Sequence, residues 1–167
     1  MTKLSDLSSI SLIRNGLTDC DFLNEMKLTD LILDQNRLTD FSPIASLTEL
    51  KELSLCDTGL DSLDDISGLD LTCLVASNNP ISDLQPIAGM VHLTYLAIDH
   101  TYVRSLDALR SINELRTLDI SDMPEMISLE PLYELENLQR IYCFSTMIDD
   151  ADWQKLNDFL IGYGWGG

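Results

Sequence analysis

His100, with Asp99 beside it and Asp122 further along the chain, is the histidine best placed for chemistry in this sequence. A histidine next to a carboxylate is a typical general base, because its ordinary pKa lies near neutral pH. Covalent catalysis would also need a nucleophile, and no serine or cysteine is clearly placed to serve as one. We therefore predict no catalytic residue, and we expect that the protein is not an enzyme.

The cysteines are the other side chains suited to chemistry, either as metal ligands or in disulfides. Their spacing is irregular, no C-x-x-C motif occurs, and none clusters with His92 or His100. A structural zinc site needs such a cluster. We therefore expect no metal site, no cofactor and four reduced thiols, those of Cys20, Cys56, Cys73 and Cys143.

The sequence contains an internal repeat of 21 to 23 residues with the consensus phrase L-x-x-L-x-L-x-x-N-x-L. This repeat predicts the secondary structure on which the histidines and cysteines lie. The alternating L-x-L pair predicts a short strand with one buried face, and stacked copies would form a parallel sheet. Prolines 43, 86 and 131 predict short 3₁₀ or extended turns in the second half of the repeat. The seven copies open at Leu7, Leu28, Leu50, Leu71, Leu93, Leu115 and Leu138.

This phrase, followed by segments such as Phe41-Ser-Pro-Ile44-Ala-Ser-Leu47, resembles the leucine-rich-repeat family over residues 7 to about 148. The repeat length is similar to the class found in bacterial internalins and in a eukaryotic phosphatase regulator. The resemblance implies an α/β solenoid, an arc of seven short parallel strands with 3₁₀ helices or turns on its convex side. Such solenoids are mainly binding proteins.

We expect a single domain over residues 1–167. An amphipathic pattern after acidic residues predicts a C-terminal capping helix at about 150–161, followed by a flexible tail at 162–167. The serines of the first repeat predict a polar edge strand that is left open.

Asparagine at the ninth position of the phrase predicts a ladder of amides that satisfy the backbone of the turns. Threonine is a weaker substitute and methionine cannot serve. The ladder should therefore weaken toward the C-terminus, because the residues at this position are Asn15, Asn36, Thr58, Asn79, Thr101, Met123 and Thr146.

The net charge of −18, from 28 acidic and 10 basic residues, disfavours binding to nucleic acid and to anionic membranes. It indicates either a generally acidic protein or one selected for a basic partner. No export signal or long apolar stretch is visible, so we expect a cytoplasmic protein without a membrane partner.

The non-leucine strand positions predict an outward, concave binding face. In repeats two to six, seven of the twenty outward positions are acidic and none is basic. Exposed aromatic residues on a rigid strand are candidate hot spots, although Tyr142 and Phe144 could instead cover the C-terminal cap. The predicted partner-binding residues are Asp30, Asp34, Glu52, Asp57, Tyr95, Asp99, His100, Asp119, Asp122, Tyr142 and Phe144.

These observations predict a non-catalytic protein-interaction module that binds a basic protein on its acidic concave face. The specific hypothesis that we favour is a cytoplasmic bacterial immunity protein that neutralises a toxin. The alternatives are a secreted internalin-like adhesin or effector, and the regulatory subunit of an enzyme. The oligomeric state is left open.

Overall fold

The computed structural model describes residues 6–146 and 148–162, with side chains as far as residue 158. Within this part of the chain, three-residue strands form one sheet, and each strand pairs in parallel with the next in chain order. The strands are β1 Ser9–Ser11, β2 Asp30–Ile32, β3 Glu52–Ser54, β4 Cys73–Val75, β5 Tyr95–Ala97, β6 Thr117–Asp119 and β7 Arg140–Tyr142.

The middle residue of each strand points into the core, as the alternating pattern predicts. Leu31 pairs with Leu53, and the register continues along the sheet through Leu74, Leu96 and Leu118. These five leucines are at most 1% exposed. The predicted core column is therefore confirmed. The residues on either side of it face away from the core, because side chains alternate along a strand.

Short 3₁₀ helices pack against the side of the core opposite the sheet. Proline lies in the first turn of three of them, where its missing N–H group costs no hydrogen bond. A side chain often caps the turn before the helix; for example, Asp40 Oδ1 accepts the backbone N–H of Ser42 at 2.9 Å. The 3₁₀ helices are Asp21–Leu23, Ser42–Ser46, Asp64–Ile66, Gln85–Ile87, Asp107–Ser111 and Glu130–Glu134.

A buried amide ladder holds the turns after the strands. Asn79 Oδ1 accepts the backbone N–H groups of residues 58–60 at 2.9–3.1 Å. Its Nδ2 atom donates to the backbone carbonyls of Leu55 and Ala76 at 2.7 and 3.0 Å. Thr101 makes a single side-chain bond, to the carbonyl of Ile98, and the Met123 that follows is an apolar core residue. The ladder weakens toward the C-terminus as predicted.

All four cysteines are free thiols. Cys73 on β4 pairs in register with Glu52 on β3. Cys56 lies four residues beyond Glu52, so the two cysteines are offset by four residues along the strand direction. At ~3.3 Å per residue, this offset is too large for a disulfide. Burial raises the pKa of Cys20 and of Cys143 to about 11, which keeps both thiols protonated.

The C-terminal end of the solenoid is closed by α1, Asp150–Gly162. Asp149 Oδ1 caps this helix through the backbone N–H of Asp152 at 2.8 Å. Leu156 is fully buried, and the helix packs against the 3₁₀ helix Glu130–Glu134. The helix includes Gly162, which the sequence analysis placed in the tail; the rest of the predicted flexible tail lies outside the described residues. Among the described residues, no helix has the length and apolar character needed to span a bilayer.

Among the described residues, no strand pairs with the outer edge of β1, and this end of the sheet is less polar than its serines predicted. The serines of β1 are exposed, yet Leu7 and Phe22 are each 42% exposed beside them. Together with Ile10 and Met26 they line a hollow of about 410 Å³. The serines of the edge strand are exposed as predicted, but apolar side chains are exposed beside them, because the apolar columns of the core continue to this end of the stack.

Candidate partner-binding face

The side chains that point away from the core form three rows across the sheet and a fourth row in the turns that follow it. Together they make the strand face. The first row, which begins each strand, is Ser9, Asp30, Glu52, Cys73, Tyr95, Thr117 and Arg140. The second row, which ends each strand, is Ser11, Ile32, Ser54, Val75, Ala97, Asp119 and Tyr142. The third row, two residues beyond each strand, is Ile13, Asp34, Cys56, Ser77, Asp99, Ser121 and Phe144.

Every residue of the turn row adopts a left-handed backbone conformation, with φ between 51° and 57°. None of them is glycine, so each turn carries a side chain next to the third row. The parallel ladder continues into these turns; the N–H of His100, for example, donates to the carbonyl of Ser121 at 3.0 Å. This continuity keeps the turn row in register with the strands. The members of the turn row are Arg14, Gln35, Asp57, Asn78, His100, Asp122 and Ser145.

The predicted acidic residues of β2, β3 and their turns lie together but differ in their partners. Asp30 and Glu52 are register neighbours in the first row. Asp34 Oδ1 accepts the hydroxyl of Ser54 at 2.7 Å and the backbone N–H of Cys56 at 2.9 Å, so this carboxylate ties two repeats together. Glu52 and Asp57 are exposed. Their carboxylates are therefore open to a partner.

His100 lies between two of the predicted carboxylates. Its Nδ1 atom is 3.0 Å from Asp99 Oδ2, and its Nε2 atom is 3.5 Å from Asp122 Oδ2. The hydrogen bond to Asp99 and the charge of Asp122 raise the pKa of His100 above its usual value. An imidazolium with a carboxylate at each nitrogen forms an ion-paired cluster. This geometry favours a charged surface group over a general base.

Two of the predicted aromatic residues lie on the strands next to that of Asp119. Tyr95 lies in the first row of the preceding strand, and Tyr142 is the register neighbour of Asp119 on the following strand. Burial and the nearby negative charge of Asp119 raise the pKa of Tyr95, which keeps its phenol neutral. Phe144 is 70% exposed and Tyr142 is 40% exposed. Neither residue is buried beneath the C-terminal helix, so the alternative role as a cap cover is not supported.

The sequence analysis missed an apolar line in the middle of the strand face. Ile32 and Val75 are half-buried in the second row, Ala97 is buried, and the small Ser54 lies between the first two. A shallow hollow of about 300 Å³ opens over β1 to β4 along this line. The signal is present in the sequence, because these positions alternate with the core leucines and carry apolar or small residues.

Two arginines lie at the two ends of the acidic part of the strand face, and they were not among the predicted residues. Arg140 ends the first row and Arg14 begins the turn row. Arg14 lies in the first repeat and Arg140 in the seventh, outside the acidic repeats two to six. Neither makes an ion pair with another described residue.

Acid is also plentiful on the side of the 3₁₀ helices, but part of it is neutralised there. Arg110 forms ion pairs with Asp107, Glu130 and Glu134. Arg104 pairs with Glu125. Among the residues that the structure describes, no group of three or more histidine, cysteine or carboxylate side chains is arranged to hold a metal ion.

Stacked repeats with one short parallel strand each, 3₁₀ helices opposite and a terminal cap define a leucine-rich-repeat solenoid. Among solved structures, the chain is similar to internalin C2 from Listeria monocytogenes, with 27% identity and a TM-score of 0.76 over 86% of this chain and 74% of that one. No family model and no curated protein matches the sequence.

Two further solved structures share the fold at lower identity. The internalin InlF from Listeria monocytogenes is 23% identical, with a TM-score of 0.74, over 93% of this chain and 53% of that one. A leucine-rich-repeat protein from Leptospira interrogans is 21% identical, with a TM-score of 0.72, over 95% of this chain and 48% of that one. The chain therefore spans about half the length of these two proteins.

Proposed function

We propose that this protein is a non-catalytic interaction module that binds a basic protein on its strand face. The leucine-rich-repeat fold supports a protein-interaction module in general. One observation carries the finer statement. Seven carboxylates and no lysine or arginine occupy the outward positions of repeats two to six, on a ladder of backbone hydrogen bonds that holds them in place. They are Asp30, Asp34, Glu52, Asp57, Asp99, Asp119 and Asp122.

The arrangement of these carboxylates favours a basic partner over simple solubility. Asp30 and Glu52 are neighbours in register, and like charges side by side on a sheet destabilise it. A basic surface would relieve that repulsion and would be steered to the face by long-range attraction. The face is also held by backbone hydrogen bonds, so little conformational entropy would be lost on binding.

Tyr95, Asp119 and Tyr142 provide the best anchor point on the strand face. A carboxylate with an aromatic residue on each neighbouring strand suits the head group of an arginine or lysine, through a charge-assisted hydrogen bond and cation–π contact. We place the energetic centre of the interface here, because tyrosines at partly buried positions are frequent hot spots.

The cellular role that we favour is that of a cytoplasmic immunity protein that neutralises a basic bacterial toxin. A gene for such a toxin beside this one would support it. The similarity to internalin C2 favours a second candidate, a secreted adhesin or effector. Detection of the protein outside the cells of its source organism would support this second role instead.

Differential capture from a lysate of the source organism tests the proposed function. The bait proteins are the wild type, a strand-face variant with Glu52→Lys and Asp57→Lys, and a control variant with Asp65→Lys and Glu136→Lys. All four carboxylates are exposed and lack side-chain partners among the described residues, and both variants change the net charge equally. We expect the wild type and the control to retain the same basic proteins, and the strand-face variant to lose them. Loss in the control variant alone would contradict the proposal.

The anchor is tested on the captured partner by titration calorimetry with Tyr95→Ala. We expect a loss of about 2 kcal/mol, or roughly 30-fold in Kd. The melting temperature should change little, because Tyr95 is 36% exposed. Trp153→Ala is the matched control, since this ring is 38% exposed on α1. Equal affinities of the two variants would show that the anchor lies elsewhere.

A further inference from the structure

We propose that the strand face between β2 and β5 receives a basic amphipathic helix of the partner, lying across the strands along the axis of the stack. The inference rests on the proposed function and deepens it, since it specifies the element that the partner presents. It depends on three features of the described residues: an apolar floor, acidic walls on both sides of it, and the spacing of the strands.

The floor is the line of Ile32, Ser54, Val75 and Ala97 in the second row. Ile32 and Val75 are half-buried apolar side chains on an exposed face. The hollow of about 300 Å³ above β1 to β4 is lined by Ile32, Ser54 and Val75 and by the first row beside them, and Ala97 continues the same line on β5. A purely electrostatic face would not need apolar side chains here, so the floor indicates that the partner also buries apolar surface.

Carboxylates flank this floor on both sides. Asp30 and Glu52 lie on one side, in the first row. Asp57 in the turn row and Asp34 and Asp99 in the third row lie on the other. The complementary surface is an apolar stripe with basic residues along both edges. A helix with an apolar face and lysine or arginine on its flanks has this pattern.

The spacing of the strands selects a helix over an extended segment. Adjacent strands are ~4.8 Å apart, so Ile32 and Val75, two strands apart, are separated by ~9.6 Å along the stack. Residues i and i+7 of a helix lie ~10.5 Å apart on the same face, which is within about 1 Å of this distance. Same-face residues of an extended strand recur every ~6.7 Å, and neither one nor two such steps matches 9.6 Å.

The floor also limits the length of the contact. It spans four strands, from β2 to β5, or three intervals of ~4.8 Å, which corresponds to roughly ten helical residues. At β6 the second row changes from apolar residues to Asp119, beside Tyr95 and Tyr142. A basic residue just beyond the apolar stripe of the helix would reach this anchor.

Binding of synthetic peptides, followed by fluorescence anisotropy and circular dichroism, tests the inference. The probe is a fluorescein-labelled peptide of about five helical turns, with leucines at i, i+3, i+7 and i+10 and lysines on both flanks. Its isomer has the same composition but alternates leucine with lysine. We expect the helical peptide to bind at least about tenfold more tightly than the isomer and to gain helix content on binding.

A pair of matched valine variants locates the contact. Val75→Ser should weaken binding of the helical peptide about tenfold, because it removes an apolar contact in the centre of the floor. Val91→Ser is the control, since Val91 is 46% exposed and lies outside the strand face. The melting temperatures of both variants report whether the fold is retained.

The outcomes separate this inference from the proposed function. Equal binding of the two isomers, or equal effects of the two valine variants, would overturn the helix inference. If Glu52→Lys and Asp57→Lys still abolished capture of basic proteins, the proposed function would stand without the helix inference. Failure of the helical peptide to bind would likewise overturn the helix inference, whereas the lysate capture decides the proposed function independently.

Discussion

Individual carboxylates on the strand face have different roles. Asp34 and Asp99 each accept a serine hydroxyl from a neighbouring repeat, so they hold the sheet as well as contributing charge. Glu52 and Asp57 have no such partner. Substitutions of the first pair will therefore alter stability and binding together, and the second pair is the better choice for measuring electrostatics alone.

We expect His100 to make the proposed binding of a basic partner dependent on pH. Asp99 and Asp122 contact its ring, the charge of Asp119 acts from the next strand, and its pKa is raised. Below that pKa the imidazolium cancels part of the acidic charge. As the pH rises through this raised pKa, the proton is lost and the face becomes more negative, so the association rate should increase roughly twofold. Stopped-flow measurements with the captured partner check this.

The matched histidine variants provide the control for this pH dependence. His100→Gln should remove the dependence of the association rate on pH. His92→Gln should leave it unchanged, because His92 pairs with Asp70 away from the strand face. Stability should follow the opposite trend: a raised pKa means that the protonated form stabilises the fold. This contribution is present below the ordinary pKa of histidine and is lost as the pH rises through the folded value. An identical profile for both variants would exclude His100 as the source.

The single repeat is the element on which stability depends, since each contributes one strand, one turn and one core layer. Leu96 is fully buried in the central column, between Leu74 and Leu118. Leu96→Ala should lower the free energy of unfolding by ~2–5 kcal/mol, because the neighbouring layers can only partly fill the cavity. Urea denaturation measures the change. Val91→Ala, at an exposed site, should stay within about 0.5 kcal/mol of the wild type, and equal losses would contradict this core assignment.

The amide ladder gives a second prediction at the level of the element. Asn79→Ala removes the acceptor of three backbone N–H groups and the donor to three carbonyls. We expect a loss of about 3 kcal/mol or more, since buried backbone groups are left without partners. Thr101→Val removes one hydrogen bond and should cost about 1 kcal/mol. Unfolding curves that ranked the two variants in the reverse order would show that the ladder is not the main support of the turns.

The net charge of −18 acts on the molecule as a whole. The resulting field should speed association with a basic protein at low salt. Raising the salt from about 0.05 to 0.5 M shortens the Debye length to ~4 Å and should slow association about tenfold or more. Surface plasmon resonance with the captured partner measures the rates. The Glu52→Lys and Asp57→Lys variant should show a weaker dependence on salt, and a wild-type rate that did not respond to salt would exclude steering.

The repeat, the core column and the ladder could be predicted from the sequence because each depends on a short local pattern. Alternating leucines specify which strand residues turn inward, as Leu31 and Leu53 show. Proline at positions 43, 86 and 131 specifies 3₁₀ helices opposite the sheet. The ladder weakens after Asn79 because the threonine hydroxyl donates and accepts at a single atom, whereas the asparagine amide has two donor hydrogens and a separate acceptor oxygen. Each of these features depends only on residues that lie within one repeat length of each other in the sequence.

The arrangement of side chains on the strand face was decided only by the tertiary structure, because it depends on the register between strands. That register places Asp119 beside Tyr142 and next to the strand of Tyr95, residues that are 23 and 24 positions from it in sequence. It also aligns Ile32 and Val75 on one line, two strands apart, and brings Asp122 to the ring of His100. Spacing in the sequence shows that these side chains leave the core, but only strand pairing determines which of them become neighbours.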